Sequence, residues 1–170
     1  MLLDLGDIRI RPWRRNDLDA LLRYANNPKI AANLRDQFPH PYTRRDALDY
    51  LEYVRTMDVP MSFAVEHQGE AIGGIGFKLG VDIARISVEM GYWLGEPFWG
   101  RGLTTRAVTA SSDWAFDSYK VVRIFATVFV ENLPSIRVLE KSGFIREGVL
   151  RRSAIKNGVI RDQVMYARVR

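Results

Sequence analysis

The sequence predicts a mixed α/β fold of the α+β kind, with a mostly antiparallel sheet of about seven strands flanked by helices. Three observations predict it. The strand-forming runs are grouped along the chain instead of alternating regularly with helices. Asn157-Gly158 lies between two such runs and is a strong hairpin signal. Residues 86–94 form a strand-like run that passes through a glycine turn into a helix-forming segment.

The first third of the chain is predicted to be one strand followed by helices. Residues 8–12 alternate apolar and basic side chains, as in a half-buried strand. Asn16 is placed to cap the helix that follows. A short helix is predicted over 28–34. Thr43, with Asp46 three residues later, is placed to cap another helix.

The remainder of the chain is predicted to be mainly strand. The predicted strands lie at 62–66, 71–79, 86–94, 121–130, 144–152 and 159–169. Glycines within 71–79 predict a bulge or a close approach of neighbouring backbones. A helix over 104–119 is predicted to pack its small residues on the sheet, and a short helix over 135–142 ends at Gly143.

Composition excludes several classes of protein. A chain of 170 residues that is 47% hydrophobic predicts a single domain over 1–170 with a sizeable core. The absence of cysteine excludes a disulfide framework and a thiol nucleophile, and the two histidines, His40 and His67, predict no metal site. No apolar run reaches about 18 residues, and the N-terminus lacks signal-peptide features. We therefore expect no membrane span and a bacterial-type cytoplasmic protein.

The net charge of +5 is unevenly distributed. Residues 1–140 carry 17 basic and 18 acidic side chains, whereas residues 141–170 carry 8 basic and 2 acidic ones. This asymmetry fits attraction of a polyanionic cofactor, an acidic acceptor or a ribosomal surface, although solvated strand faces are the simpler and favoured interpretation. Basic and aromatic residues are not interleaved, so direct nucleic-acid binding is not expected.

The strand, turn and helix start over 87–105 form a shape that suits an anion. Gly100 and Gly102 allow a close backbone approach, and the first turn of the helix offers unpaired N–H groups. The turn has no Walker A lysine, and Thr105 stands where a dinucleotide fingerprint needs a glycine or alanine. The alternative is a tight strand-to-helix turn with no ligand. Glu89 is the one carboxylate within the strand.

Two segments of the chain resemble the GNAT N-acetyltransferases. In that family Arg/Gln-x-x-Gly-x-Gly/Ala cradles the pyrophosphate of acetyl-coenzyme A (acetyl-CoA), and Trp99, Gly102 and Thr104 occupy the matching positions here. An aromatic residue at Trp99 is usual in the RimJ/RimL-like branch, which acetylates ribosomal-protein N-termini. The segment 132–144 resembles the family's Asn-x-x-Ser-x-x-x-x-Glu-Lys-x-Gly-Phe run. The resemblance implies the GNAT fold, acetyl-CoA as cosubstrate and no metal.

The resemblance also implies the residues of the site. The implied cofactor-binding residues are Trp93, Leu94, Trp99, Gly100, Arg101, Gly102, Leu103, Thr104, Thr105, Asn132 and Ser135. Glu89 is implied as the catalytic base, often acting through water; the alternative is a half-exposed strand glutamate paired with an arginine. Many relatives carry a tyrosine acid at the position of Leu139, so Ser135 is the expected substitute. The alternatives are a helix-capping role for Asn132 and Ser135, and departure of the thiolate without an acid.

The acceptor implied by the resemblance is a primary amine, first of all a peptide or ribosomal-protein N-terminus. A small amine such as a polyamine, amino acid or antibiotic is the alternative enzyme substrate. A non-catalytic coenzyme A (CoA) sensor or ribosome-assembly module is the alternative of another class. We expect the acceptor pocket to be formed by the loop 38–42, Phe77 and the hairpin near Asn157. Dimers are common in this family, so a homodimer is also open.

Overall fold

The computed structural model describes all 170 residues and places every strand in one eight-stranded sheet. The elements in chain order are β1 (Leu3–Asp4), β2 (Ile8–Pro12), α1 (Leu18–Ala25), α2 (Pro28–Ala31), α3 (Arg44–Arg55), β3 (Ser62–His67), β4 (Glu70–Leu79), β5 (Ser87–Leu94), α4 (Leu103–Tyr119), β6 (Arg123–Phe129), α5 (Leu133–Lys141), β7 (Ile145–Lys156) and β8 (Val159–Val169). The strand order is β1-β2-β3-β4-β5-β6-β8-β7. Every neighbouring pair is antiparallel except β5 and β6.

This architecture confirms the predicted mixed fold with a mostly antiparallel sheet. The additional strand is β1, whose two residues pair with β2 and are too few to give a periodic signal. Asn157 and Gly158 both have positive φ and join β7 to β8, as predicted for this hairpin. None of the helices is long and apolar enough to cross a bilayer. No three side chains of the metal-binding types cluster together.

The two predicted N-caps near the start of the chain have opposite outcomes. Thr43 caps α3: its hydroxyl accepts from the Asp46 amide, and the Asp46 carboxylate accepts from the Thr43 amide at 2.7 Å. The prediction for Asn16 is wrong, because a 3-10 turn over Arg15–Asp17 precedes α1. Asp17 is buried there against Arg11, which is 1% exposed and needs a counter-charge.

Helices cover both faces of the sheet, and strand alternation decides which side chains meet them. Met90 and Leu94 of β5 belong to the main core cluster, which also contains the buried face of α4. Trp93 lies on the opposite face and packs with the smaller cluster of α1 and α3. Adjacent residues of β5 therefore serve two different compartments of the molecule.

Gly73 allows β4 to press closely against β5. A Cβ atom at Gly73 would lie 2.4 Å from the Trp93 carbonyl oxygen, which is a backbone clash. The pairing of β3 and β4 also shifts register between Val65 and Glu66. The close approach predicted for these glycines is therefore present at Gly73, and the predicted alternative, a bulge, also occurs in this strand.

The parallel pairing of β5 with β6 is short. Its pairs are Ser87 with Arg123, Val88 with Ile124, and Glu89 with Phe125. Beyond Glu89, β5 continues to Leu94 paired only with β4, and β6 continues paired only with β8. The two strands separate from this point, which leaves an unpaired backbone edge on each side of a gap.

We predict that Gly73→Ala destabilises the protein by about 1–3 kcal/mol, because the added methyl group must displace the backbone of β5. Gly76→Ala is the matched control in the same strand, since the nearest atom to its Cβ would be 3.8 Å away. Urea unfolding of both variants measures the difference. Equal midpoints for the two variants would contradict the close-approach explanation.

Candidate active site

A cavity of about 570 Å³ opens where β5 and β6 separate. Its walls come from the ends of these two strands, the turn before α4, the first turn of α4, one face of α5, and α2 with the turn that follows it. Ten of the eleven predicted cofactor-binding residues line it: Trp93, Leu94, Trp99, Gly100, Gly102, Leu103, Thr104, Thr105, Asn132 and Ser135. The fold thus brings the two sequence signatures to opposite walls of one cavity.

The turn before α4 presents free backbone donors to the cavity. Gly100 and Gly102 have φ values of +76° and +74°, a region that favours glycine. The amide N–H groups of Leu103, Thr104 and Thr105 make no hydrogen bond within the protein. Because α4 is 17 residues long, its dipole adds to the attraction of these donors for an anion.

Arg101 is the predicted cofactor-binding residue that does not line the cavity. Its guanidinium carbon lies 5.6 Å from the centre of the Phe98 ring. Trp99, the neighbouring aromatic residue, does line the cavity, and its indole N–H donates to the Leu94 carbonyl at 2.7 Å. The indole therefore ties the turn to the end of β5, at the position where the general family signature has arginine or glutamine.

The free edge of β5 directs backbone groups into the gap. The Gly95 amide donates to Ile72 of β4 at 2.7 Å. Amides alternate between the two edges of a strand, so those of Leu94 and Tyr92 are directed away from β4, towards β6. Of the two predicted cofactor-binding residues at the end of β5, Trp93 and Leu94, it is therefore Leu94 whose amide faces the gap.

The start of α5 is capped and also lines the cavity. The Asn132 side-chain oxygen accepts from the Ser135 amide at 3.3 Å, so Asn132 does have the capping role offered as an alternative. The Ser135 hydroxyl lies 2.8 Å from the hydroxyl of Tyr92. Leu139, at the position where many relatives have a tyrosine, is fully buried in the core and does not line the cavity.

Tyr92 is a cavity residue that the reading of the sequence missed. Its phenol meets Ser135 across the gap, and burial raises its pKa well above the usual value for tyrosine, with partial compensation by the Ser135 hydrogen bond. The alternation of side chains along β5 could have predicted the position of Tyr92. If Glu89 and Trp93 share one face, Tyr92 must lie on the other, towards the second signature.

Glu89 lies at the last pair of the parallel ladder, immediately before the strands separate. Its carboxylate forms an ion pair with Arg35, from the segment after α2, and its side chain is 21% exposed. It does not line the main cavity, although Met90 and Gly91 beside it do. The arginine pairing raised as an alternative is therefore present, and the role of Glu89 as base stays a prediction.

The loop and hairpin predicted to form the acceptor pocket do come together. They line a second cavity of about 390 Å³, in which Phe38 and His40 lie near Lys156 and Asn157. The Lys156 ammonium donates to Asp36 at 2.7 Å and thereby joins the hairpin to the loop.

The prediction that Phe77 contributes to this pocket is wrong. Phe77 is 7% exposed and makes aromatic contacts with Phe63, Trp114 and Tyr119 in the main core. The strand alternation of β4 directs its ring to the face covered by α4, away from the acceptor loop.

Two cations without an ion-pair partner line the main cavity and were also missed, beside Lys29, which is paired with Glu96. Arg137 and Lys141 are four residues apart on α5, so they lie on one face, and neither forms an ion pair. Most other basic residues in the last part of the chain are less available. Lys156, Arg161, Arg168 and Arg170 pair with Asp36, Glu131, Asp113 and Asp117, respectively.

The strand gap, the free helix N-terminus and the lining cations form a cavity suited to an anionic ligand that also pairs with a strand edge. The comparisons with known proteins agree. A family profile described as the acetyltransferase (GNAT) domain matches residues 7–145. The chain belongs to the GNAT family of acetyl-CoA-dependent N-acetyltransferases.

Relatives cover nearly the full length of the chain. The uncharacterized N-acetyltransferase p20 of Bacillus licheniformis is 30% identical over 94% of this chain and 91% of its own length. The putative ribosomal N-acetyltransferase YdaF of Bacillus subtilis is 31% identical over 96% of this chain and 82% of its own. The structure of Mycobacterium smegmatis RimJ in complex with CoA-disulfide superposes with a TM-score of 0.83, at 27% identity over 95% of this chain and 81% of that chain. The predicted resemblance, fold and acetyl-CoA dependence are thus confirmed.

We predict that Arg137→Ala and Lys141→Ala each weaken CoA binding by about twofold to fivefold at low salt, because each removes a cation from the cavity wall. The loss should shrink as salt screens the charge. Titration calorimetry at two ionic strengths measures it. Arg151→Ala is the matched control, because this substitution also removes one positive charge and Arg151 lies outside the cavity. An equal loss in the control would contradict a local contact with the coenzyme.

Proposed function

We propose that residues 1–170 act as a single N-acetyltransferase domain that acetylates the α-amine of a peptide or protein N-terminus, a ribosomal protein among them. The observation that carries this proposal is the end of the β5–β6 pairing at Glu89. The cavity proposed for the coenzyme begins at this point. The Glu89 carboxylate lies next to it, on the opposite face of β5.

In this proposal the coenzyme phosphates accept hydrogen bonds from the free amides of Leu103, Thr104 and Thr105. Arg137 and Lys141 add positive charge to the same cavity. The exposed edge of β5 is suited to pair with the pantetheine amides as an added strand would. In this arrangement the Leu94 amide stabilises the negative charge that develops on the thioester oxygen.

Proton handling divides between the two faces of β5. An ammonium must lose a proton before it attacks, and Glu89 is the proposed acceptor of that proton. Because Glu89 lies outside the lining of the main cavity, the proton reaches it through water. An α-amine has a pKa near 8 and so asks less of a base than a lysine near 10.4. Ser135, on the other face, is the proposed hydrogen-bond donor to the departing sulfur, which takes its proton from solvent. Direct attack needs no enzyme nucleophile and fits a chain without cysteine.

The charges near the acceptor loop favour a peptide α-amine over a polyamine. Glu89 and Asp36 are the carboxylates there, and each is already paired with a cation, Arg35 and Lys156 respectively. A polyamine requires carboxylates that are free to receive its additional ammonium groups. The similarity to YdaF, a putative ribosomal N-acetyltransferase, supports the same choice. Newly made ribosomal proteins and acetyl-CoA meet in the cytoplasm, which is the proposed location.

An acceptor panel tests the substrate class. With acetyl-CoA, we expect thiol release to be fastest with short peptides that have a free N-terminus, and slow with N-blocked peptides, spermidine and free amino acids. Because the protein has no cysteine, a thiol reagent reports released CoA alone. Faster release with spermidine would replace the peptide by a polyamine. Acetyl-CoA binding without release for any amine would favour a CoA sensor.

Paired variants test the base. We predict that Glu89→Gln lowers kcat by about a hundredfold while the Kd for acetyl-CoA stays within about twofold, because only proton removal is affected. Arg35→Ala breaks the same ion pair but keeps the carboxylate, and should stay within about threefold of wild type, since a partly exposed pair contributes little. Steady-state rates and calorimetry measure both. An equal loss in the two variants would show that the ion pair matters and the base does not.

A further inference from the structure

Tyr92 and Ser135 face each other inside the coenzyme cavity. The phenol oxygen of Tyr92 lies 2.8 Å from the Ser135 hydroxyl oxygen and 3.2 Å from the Ser135 carbonyl oxygen. Both residues line the cavity. The phenol has no other hydrogen-bond partner, so this side chain is directed at a single residue of the second signature.

The direction of this hydrogen bond decides what Ser135 can do. A serine hydroxyl has one hydrogen to donate and two lone pairs that accept. If Ser135 donates to Tyr92, it has no hydrogen left for a sulfur atom in the cavity. If Tyr92 donates to Ser135, the hydroxyl hydrogen of Ser135 is free to turn into the cavity.

We propose that Tyr92 is a positioning residue for the leaving group: it donates to the Ser135 hydroxyl oxygen and so directs the hydrogen of Ser135 at the sulfur of coenzyme A. This inference rests on the proposed function. In the transfer step the new C–N bond forms and the C–S bond breaks, with its electron pair passing to sulfur. The amine proton passes to Glu89 and then to solvent. The sulfur receives the hydrogen bond of Ser135 as its charge builds and is reprotonated from solvent.

Two observations favour Tyr92 as the donor. Burial raises the pKa of its phenol well above the usual value, so the O–H is retained throughout the pH range of an assay. The Ser135 carbonyl, the other acceptor within reach, lies inside α5, where the amide four residues later is its regular partner. The hydroxyl oxygen is also the closer of the two.

Titration of the bound thiol tests the inference without turnover. Difference ultraviolet spectra between protein saturated with CoA and the same protein titrated without CoA report the thiolate of CoA, because the subtraction removes tyrosine ionisation and the chain has no cysteine. We expect the thiol of bound CoA to titrate below that of free CoA in the wild type. Tyr92→Phe and Ser135→Ala should each raise its pKa by about one unit. The double variant should raise it no further, because both changes remove the same hydrogen bond.

Tyr119→Phe is the matched control. Tyr119 also has a hydrogen-bonded phenol, which donates to the Pro60 carbonyl at 2.7 Å, but it does not line the cavity. Its replacement should leave the bound thiol pKa unchanged. If Tyr92→Phe lowers the melting temperature as Tyr119→Phe does and also leaves the thiol pKa at the wild-type value, its role is structural and the inference is overturned.

Kinetics separate this inference from the proposed function. With an active acceptor, Tyr92→Phe should lower kcat about tenfold and change the KM for acetyl-CoA by less than about twofold. Unchanged kcat and an unchanged thiol pKa would overturn the role of Tyr92 while leaving the acetyltransferase in place. Conversely, if wild-type protein releases no thiol with any amine, the proposed function fails, and the thiol titration still decides whether Tyr92 directs Ser135.

Discussion

The site depends on the three residue pairs that join β5 to β6 in parallel. Every other strand pair in the sheet is antiparallel, and most run much longer. Because this ladder stops at Glu89, the backbone donors and acceptors of the next residues are left without a strand partner inside a well-packed protein. Unpaired buried backbone groups cost free energy, so a ligand with amides of its own is stabilised there. The opening is a property of the backbone and does not need a particular side chain.

The alternation of side chains along β5 places two different groups of residues on its two faces. Tyr92 and Leu94 face the compartment of α4 and α5, where the free helix amides and the cations lie. Glu89 and Trp93 face the compartment of Arg35 and Phe38. In the proposed function, a group held between the strands is therefore reached by the coenzyme-binding residues from one side and by the residues near the acceptor from the other. Since the period of a strand is two residues, the chain achieves this division without a second domain.

Local signals in the sequence were sufficient for most of the fold. The Thr43 capping box, the Asn157-Gly158 hairpin and the Gly143 helix end each depend on residues within a few positions of one another. The failure at Asn16 has a long-range cause, because Asp17 is drawn to the buried Arg11. The prediction that Phe77 lines the acceptor pocket was wrong for a related reason, because the sequence does not show which face of a predicted strand packs against which helix.

The site was predictable where a motif covers it and unpredictable where distant segments meet. The turn and the two signatures identified the walls formed by β5, the start of α4 and α5, but not those formed by β6 and the segment around α2. The pairing of Glu89 with Arg35 joins positions 54 residues apart, and that of Tyr92 with Ser135 joins positions 43 apart. Neither has a local signature, since each depends on how the strands and helices are assembled. The roles assigned to Glu89 and Ser135 come from the resemblance, and the geometry gives each of them a named partner.

The contact between Gly73 and the Trp93 carbonyl has a consequence for the size of the acyl group. With no room for even a methyl group between β4 and β5, the outer wall of the gap is fixed. β6 supplies the opposite wall with Ala126, Thr127 and Val128. In the proposed site, room for a longer acyl chain such as propionyl or succinyl therefore comes from the side chains of β6 and of the helices that line the cavity, while β5 is held against β4.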